Sequence, residues 1–208
     1  MHSFTLPHVP GLTVAALYVA PRGVYADLHG VDPWPESRDA RAYAGPHPVV
    51  AHPPCARWGR YATGGPSNHG RFKLGDDGGC FAAALAAVRA FGGVLEHPKD
   101  SRAFDAFELV VPPVGGGWVP GRPGEWTCCV EQGHYGHTAR KPTWLFAVLD
   151  GAPPELTWGP SVATRSKDYG DPLRTRRRGA IELMSKNQRA STPVAFRDLL
   201  LSIARSAR

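Results

Sequence analysis

Two patterns alternate along this chain: short apolar, β-branched runs cut off by proline or glycine, and longer stretches with apolar residues at helical spacing. Thr13 to Val19 is apolar and closes at Pro21-Arg22-Gly23, which predicts a buried strand. Leu28 to Val31 predicts a second. Only about a dozen residues separate their centres, no more than a helical crossover needs by itself. Their connection is therefore expected to lack a helix, or the pair to fall outside a standard strand-helix-strand unit. Val49-Val50-Ala51 predicts a third strand, ended by His52-Pro53-Pro54-Cys55. Phe81, Leu85, Val88 and Phe91 recur at helical spacing among alanines, so a helix is expected over 80–91, stopped by Gly92-Gly93. Val94-Leu95 then predicts a strand running into Glu96-His97-Pro98. Trp126 to Glu131 and Thr143 to Leu149 predict two more. Phe196, Leu199, Leu200 and Ile203 mark the buried face of a closing helix, with Thr192 as its cap and Pro193 at its first position. Strands alternating with helices make the class α/β.

At 208 residues the chain is long enough for one domain with a real core. Residues 1–12 are expected to be a leader, 13–150 the main α/β domain, 151–190 a basic irregular insertion, and 191–208 a helix returning to the main domain. The 24 glycines and 21 prolines point to turns and functional loops. The longest such loop, 58–79, has the length of a lid. No stretch approaches a membrane-spanning length, and the N-terminus lacks a charged segment before an apolar core. Four cysteines without regular spacing do not make a disulfide framework, so a cytoplasmic protein with reduced thiols is expected.

Charge narrows the partners. The net charge is +6 and the isoelectric point is near 9.4, which suits a polyanion. Arg174, Arg176, Arg177 and Arg178 lie in one run, and Arg57, Arg60, Arg71 and Lys73 are spread through the long loop. Arg57, Arg60, Lys73, Lys141, Arg176, Arg177 and Arg178 are the candidate nucleic-acid contacts, and DNA or a pyrimidine nucleotide is the expected partner.

The candidate nucleophile is Cys55. A proline cannot donate to a sheet ladder and restricts the residue before it, so Pro53-Pro54 should present the thiol rigidly at the carboxyl edge of the sheet. Arg57, Arg60 and His52 are close in sequence, and any of them is expected to lower the thiol's pKa toward neutrality. Cys80 opens the 80–91 helix, where the helix dipole favours a thiolate, but a small core residue is the better reading there. Cys128 and Cys129 alternate across a strand, so one of them should be buried. His52 and Cys55 also have a metal-like spacing, which His97, His134 and His137 would have to complete.

Several of these stretches, in this order, resemble the cytosine-C5 DNA methyltransferases. Pro53-Pro54-Cys55 looks like that family's catalytic turn, and Asp76-Asp77-Gly78-Gly79-Cys80-Phe81 like the stretch opening its next helix. Glu96-His97-Pro98 stands where the family has Glu-Asn-Val or Glu-Asn-Pro. Tyr135-Gly136-His137 through Arg140 resembles a shortened form of its later Tyr-Gly motif. Ser191-Thr192-Pro193 and the closing helix fall where its last motif returns. The likeness covers about residues 36–150 and 186–206, and is greatest to short methyltransferase-like proteins of phages and prophages. It implies a three-layer, Rossmann-like sheet with a shortened N-terminal cofactor region. It also implies catalytic roles for Cys55, Glu96 and Arg140, and S-adenosylmethionine held by Asp32, Asp39 and Pro54.

Two parts of the family pattern are missing. Val19-Ala20-Pro21-Arg22-Gly23 stands where the family has a glycine-rich cofactor loop, so weak or undetectable S-adenosylmethionine binding is expected. No large target-recognition domain is present; the basic segment 151–190 is what remains for that role.

The chemistry itself asks for these residue types. Modifying a pyrimidine at C5 needs a nucleophile at C6, and a thiolate both attacks and leaves readily. The ring also needs a proton or hydrogen bond at N3, which a carboxylic acid at Glu96 would supply. A base inside a duplex is out of reach and must be flipped out, or arrive single-stranded or as a nucleotide. The competing readings are a non-catalytic DNA-binding relic, of use in phage–host interference, and a metal-dependent base hydrolase or deaminase.

Overall fold

The computed structural model describes residues 12–65, 70–162, 188 and 191–207. Val14–Leu17 forms β1 and Val31–Trp34 forms β2, its parallel neighbour. The chain passes between them through turns without a helix, as the short connection requires. The second strand lies later than its apolar run suggested. The Val31 amide is bound to the Leu28 carbonyl in a turn, so pairing begins only at Val31. The strand then runs through Asp32 and Pro33, a proline that a sheet edge tolerates.

On the other side of β1 lies β3, Val49–Ala51, and beyond it β4, Gly93–Pro98, both parallel to β1. The next neighbour, β7 (Pro142–Val148), is antiparallel to β4 and is followed by antiparallel β6 (Glu125–Glu131) and β5 (Trp118–Pro120). The sheet order is β2-β1-β3-β4-β7-β6-β5, a single mixed sheet of seven strands. The chain leaves β1 toward β2 on one side and later lays β3 and β4 on the other. The order therefore reverses between β1 and β3, and at such a point the carboxyl ends of the strands open a crevice.

Among the described residues three α-helices cover the sheet: α1 (Cys80–Phe91), α2 (Arg102–Ala106) and α3 (Val194–Arg205). Alternate strand residues face opposite ways. Val14, Ala16, Val50, Val94, Leu145 and Ala147 meet Phe196, Leu200 and Ile203 of α3 in one core. Ala15, Leu17, Val49, Ala51, Leu95 and Phe146 meet Phe81, Leu85 and Val88 of α1 and Phe104 of α2 in the other. Because both faces are covered, Cys128 and Cys129 are both buried, one in each core. The first part of the expected insertion packs as well, with Leu156 buried in the α3 core.

The start of α3 differs from expectation. Pro193 itself is the capping residue, in extended conformation, and no side chain caps the helix, so Thr192 lies one position too early to do so. Among the described residues no helix is long and apolar enough to cross a membrane.

Candidate active site

The crevice at the reversal point is built from the ends of β1, β3 and β4. Past Ala51, the His52 amide still bonds the Leu17 carbonyl at 3.1 Å, extending the ladder by one residue before Pro53-Pro54 ends it. The Cys55 carbonyl then accepts from the Trp58 amide in a turn (3.0 Å), and the turn is anchored through the buried Trp58. The Trp58 indole donates to Asp77 at 2.8 Å, and the same carboxylate accepts from the Gly79 and Phe81 amides that open α1. The Trp58 carbonyl accepts from Arg102 of α2. The Asp76–Phe81 stretch thus ties the Cys55 turn to the first turn of α1. Cys55 is a free cysteine, exposed as a residue but with enough protein around it for desolvation to act on the thiol.

Inside β4, Glu96 sits beside this turn with its side chain 13% exposed. His52 Nδ1 lies 3.1 Å from Glu96 Oε2, and Gln132 Nε2 donates to Glu96 Oε1 at 3.0 Å. Gln132 Nε2 also donates to Thr143 Oγ1 at 2.8 Å, and the Tyr25 hydroxyl lies 2.9 Å from His52 Nε2. His97, the next residue on β4, is buried against Phe81, with Nδ1 2.6 Å from Ser101 Oγ. Burial pushes its pKa down to about 4, opposed by the Glu96 charge and the Pro54 backbone, so it is a neutral wall of the site.

Three titratable groups meet here: Glu96, Cys55 and Lys141. Burial works to raise the Glu96 pKa, but the His52 hydrogen bond, with help from the Lys141 charge, brings the net direction down. Glu96 is therefore a carboxylate, not the neutral acid that the sequence suggested as proton donor to N3. Burial, then the Glu96 charge, raises the Cys55 pKa, against its own backbone amide and Lys141. The expected lowering by Arg57, Arg60 and His52 does not occur. The Arg57 guanidinium stacks on Phe72 at 3.4 Å from the ring centroid, and Arg60 lies over Tyr61 at 5.6 Å. His52 is spent on Glu96 and Tyr25. Lys141 is the cation that acts on both Glu96 and Cys55, and burial lowers its own pKa. Its ammonium donates to the Ser191 carbonyl at 3.0 Å.

The other candidate residues fall as follows. Arg140, the family-implied catalytic arginine, is exposed and pairs with Glu131 at 3.5 Å; its neighbour Lys141 takes the place beside Glu96. Lys73 is exposed in the long loop, and with Arg57, Arg60 and Arg71 it has no carboxylate partner among the described residues. Arg174, Arg176, Arg177 and Arg178, and most of the leader, lie outside the described residues. Burial and the Asp77 charge raise the Cys80 thiol, so the helix start does not make it a thiolate. Among the described residues no three His, Cys, Asp or Glu side chains converge to hold a metal ion. Tyr25, Gln132 and Thr143 had no sequence signal: none belongs to a motif, and long-range folding alone brings them to Glu96.

The implied cofactor meets a poor fit. At the end of β1, where a glycine would let a ligand approach the backbone, Tyr18 sits at φ 60°, uncommon for a bulky residue. Its hydroxyl is buried and has no hydrogen-bond partner among the described residues. Asp32 accepts from the Trp34 indole at 2.8 Å and from Arg38 at 2.5 Å. Asp39 binds Arg41 at 2.7 and 2.9 Å, and Arg41 reaches on to the Gly78 carbonyl. Pro54 is exposed on the turn. The acids that would hold ribose and adenine are thus engaged within the protein, and these residues do not fit S-adenosylmethionine. In comparisons with known proteins, no family model matches the chain, and no match is found among curated proteins or among solved structures.

Proposed function

We propose that this protein modifies a pyrimidine, cytosine by preference, at C5, using Cys55 as nucleophile on DNA or on a nucleotide. One observation carries the reading: an exposed cysteine, a buried carboxylate and a lysine act on one another where the sheet order reverses. The parallel strands β2-β1-β3-β4 around that reversal support a Rossmann-like relationship to the methyltransferases. The cations of the long loop, which have no carboxylate partner among the described residues, suit phosphate.

In this reading Cys55 Sγ bonds to C6, and the C5–C6 π electrons move onto the ring. Glu96, held ionised, accepts from the exocyclic amine on the base's pairing edge. Lys141 favours the thiolate that the carboxylate disfavours. C5 is then nucleophilic and takes an electrophile. The simplest electrophile is a proton from water. Loss of the original C5 proton and departure of the thiolate restore the base. This cycle balances without any donor group and exchanges C5–H for solvent hydrogen.

The test is deuterium exchange at C5. Single-stranded DNA, duplex DNA and dCMP are each incubated with the protein in D2O, and the nucleosides are read by mass spectrometry. The wild type should introduce one deuterium at cytosine C5 in at least one of these substrates. Cys55→Ala and Cys55→Ser should introduce none, because an unassisted hydroxyl is much the weaker nucleophile. Absence of exchange in all three would contradict the reading, and DNA binding without exchange would favour a non-catalytic DNA-binding role.

A further inference from the structure

The polar chain behind Glu96 is longer than a C6 addition needs. Four parts of the fold meet in it: Tyr25 from the turns between β1 and β2, His52 just past β3, Glu96 within β4, and Gln132 just past β6. We propose that Tyr25 and His52 are positioning residues which hold the Glu96 carboxylate, by a directed hydrogen-bond chain, in the orientation and charge state with which it meets the base. The role toward a base rests on the function proposed above; the holding of Glu96 does not.

With a neutral His52 ring, one arrangement of hydrogens satisfies every contact. A carboxylate only accepts, so the hydrogen between His52 and Glu96 must be on Nδ1. In a neutral ring Nε2 then accepts, and the Tyr25 hydroxyl is there to donate to it. Tyr25 is 2% exposed, and burial drives its pKa up, so the phenol keeps its proton. Gln132 donates to the other oxygen of Glu96, and its second amide hydrogen is used on Thr143. Each Glu96 oxygen thus has one protein donor and a further lone pair, and the side chain keeps 13% of its surface.

A merely structural role explains this poorly. Burying a carboxylate costs several kcal/mol unless donors compensate, and an apolar side chain at this point of β4 would avoid the cost. The other titratable groups facing Glu96 are Lys141, ahead of β7, and His97, its neighbour on β4. Cys55 faces it from the turn. On Tyr25 act Glu96 and, from α3, Arg197 and Asp198.

The experiment follows the Glu96 carboxyl carbon by NMR through a pH titration. It compares wild type, Tyr25→Phe, His52→Ala and His52→Asn, with thermal melting to confirm folding. The asparagine amide can occupy the place of Nδ1–H. The wild type should titrate below an ordinary glutamate. His52→Ala should weaken the acid by about tenfold or more, one pH unit, and His52→Asn should restore most of the loss. Tyr25→Phe should shift the midpoint in the same direction by less. In C5 exchange, the acidic limb of the kcat profile should move up with the titration. An unchanged Glu96 midpoint in folded His52→Ala overturns the proposal, and if that variant does not fold, an unchanged midpoint in Tyr25→Phe does so. A shifted titration in a protein that exchanges no C5 hydrogen would leave the pair standing and remove the C5 function. Exchange with an unshifted titration would do the reverse.

Discussion

At the scale of residues, Cys55 is rigidly placed for the nucleophilic role proposed above but is not activated for it. Position and ionisation come from different sources: Pro53-Pro54 and the Trp58 anchor fix where the thiol stands, while burial and Glu96 raise its pKa. The sequence made the first legible, because two prolines after a β-branched run have one structural meaning. It misled on the second, because cationic neighbours in sequence turn to rings of their own loop. Lys141, 86 positions on, supplies the charge instead. The sign of the pH dependence follows. With its pKa above the ordinary thiol value, Cys55 is mostly protonated at neutral pH, and its thiolate fraction rises as pH increases through that raised value. Alkylation of Cys55 by iodoacetamide should therefore reach half its limiting rate above the pH of a free cysteine. Lys141→Ala should move that midpoint still higher, and peptide mapping across a pH series checks both. A midpoint near neutrality would contradict the electrostatics described here.

At the scale of elements, the helix over 80–91 and the strands found at 49–51, 93–98, 125–131 and 142–148 were legible to within a residue at each end, because apolar runs and glycine stops agree locally. The edge strands were not. Val31–Trp34 contains Asp32 and Pro33, and Trp118–Pro120 is three residues long, so neither carries an apolar run of its own. Pairing with a neighbour decides both. The join between β3 and β4, which sets Cys55 beside Glu96, depends on Gly93. A Cβ there would stand 2.0 Å from the Val49 carbonyl oxygen and 2.6 Å from its nitrogen, at φ 116°. Gly93→Ala should therefore destabilise the fold by about 3 kcal/mol or more, as clashes and backbone strain in a core do. Gly79→Ala, at φ 79° but with no atom within 4 Å, should cost only about 1–2 kcal/mol. Urea unfolding of the two variants measures the difference, and equal midpoints would contradict the tight β3–β4 approach.

At the scale of the whole molecule, the arrangement that matters is the reversal between β1 and β3, which no local pattern announces. Four parts of the chain converge at the strand ends beside it. α3 closes the circuit: Arg197 donates to the Val24 carbonyl beside Tyr25, and Lys141 reaches the Ser191 carbonyl ahead of the helix. The α/β class and the pairing of Cys55 with Glu96 were readable from order and spacing. The Tyr25–His52–Glu96–Gln132 chain was not, since its members are spread over more than a hundred residues. The central claim, that Cys55 attacks C6 of a pyrimidine held against Glu96, has a direct measurement. An oligonucleotide carrying a 2-pyrimidinone base, which lacks the 4-amino group and is more electrophilic at C6, should trap the adduct. Intact-mass analysis should then find one oligonucleotide on the wild-type protein, mapped to Cys55. The adduct should be absent from Cys55→Ala and retained in Glu96→Gln, because this base has no amine for the carboxylate to accept from. An adduct on Cys80, or none at saturating oligonucleotide, would contradict the account.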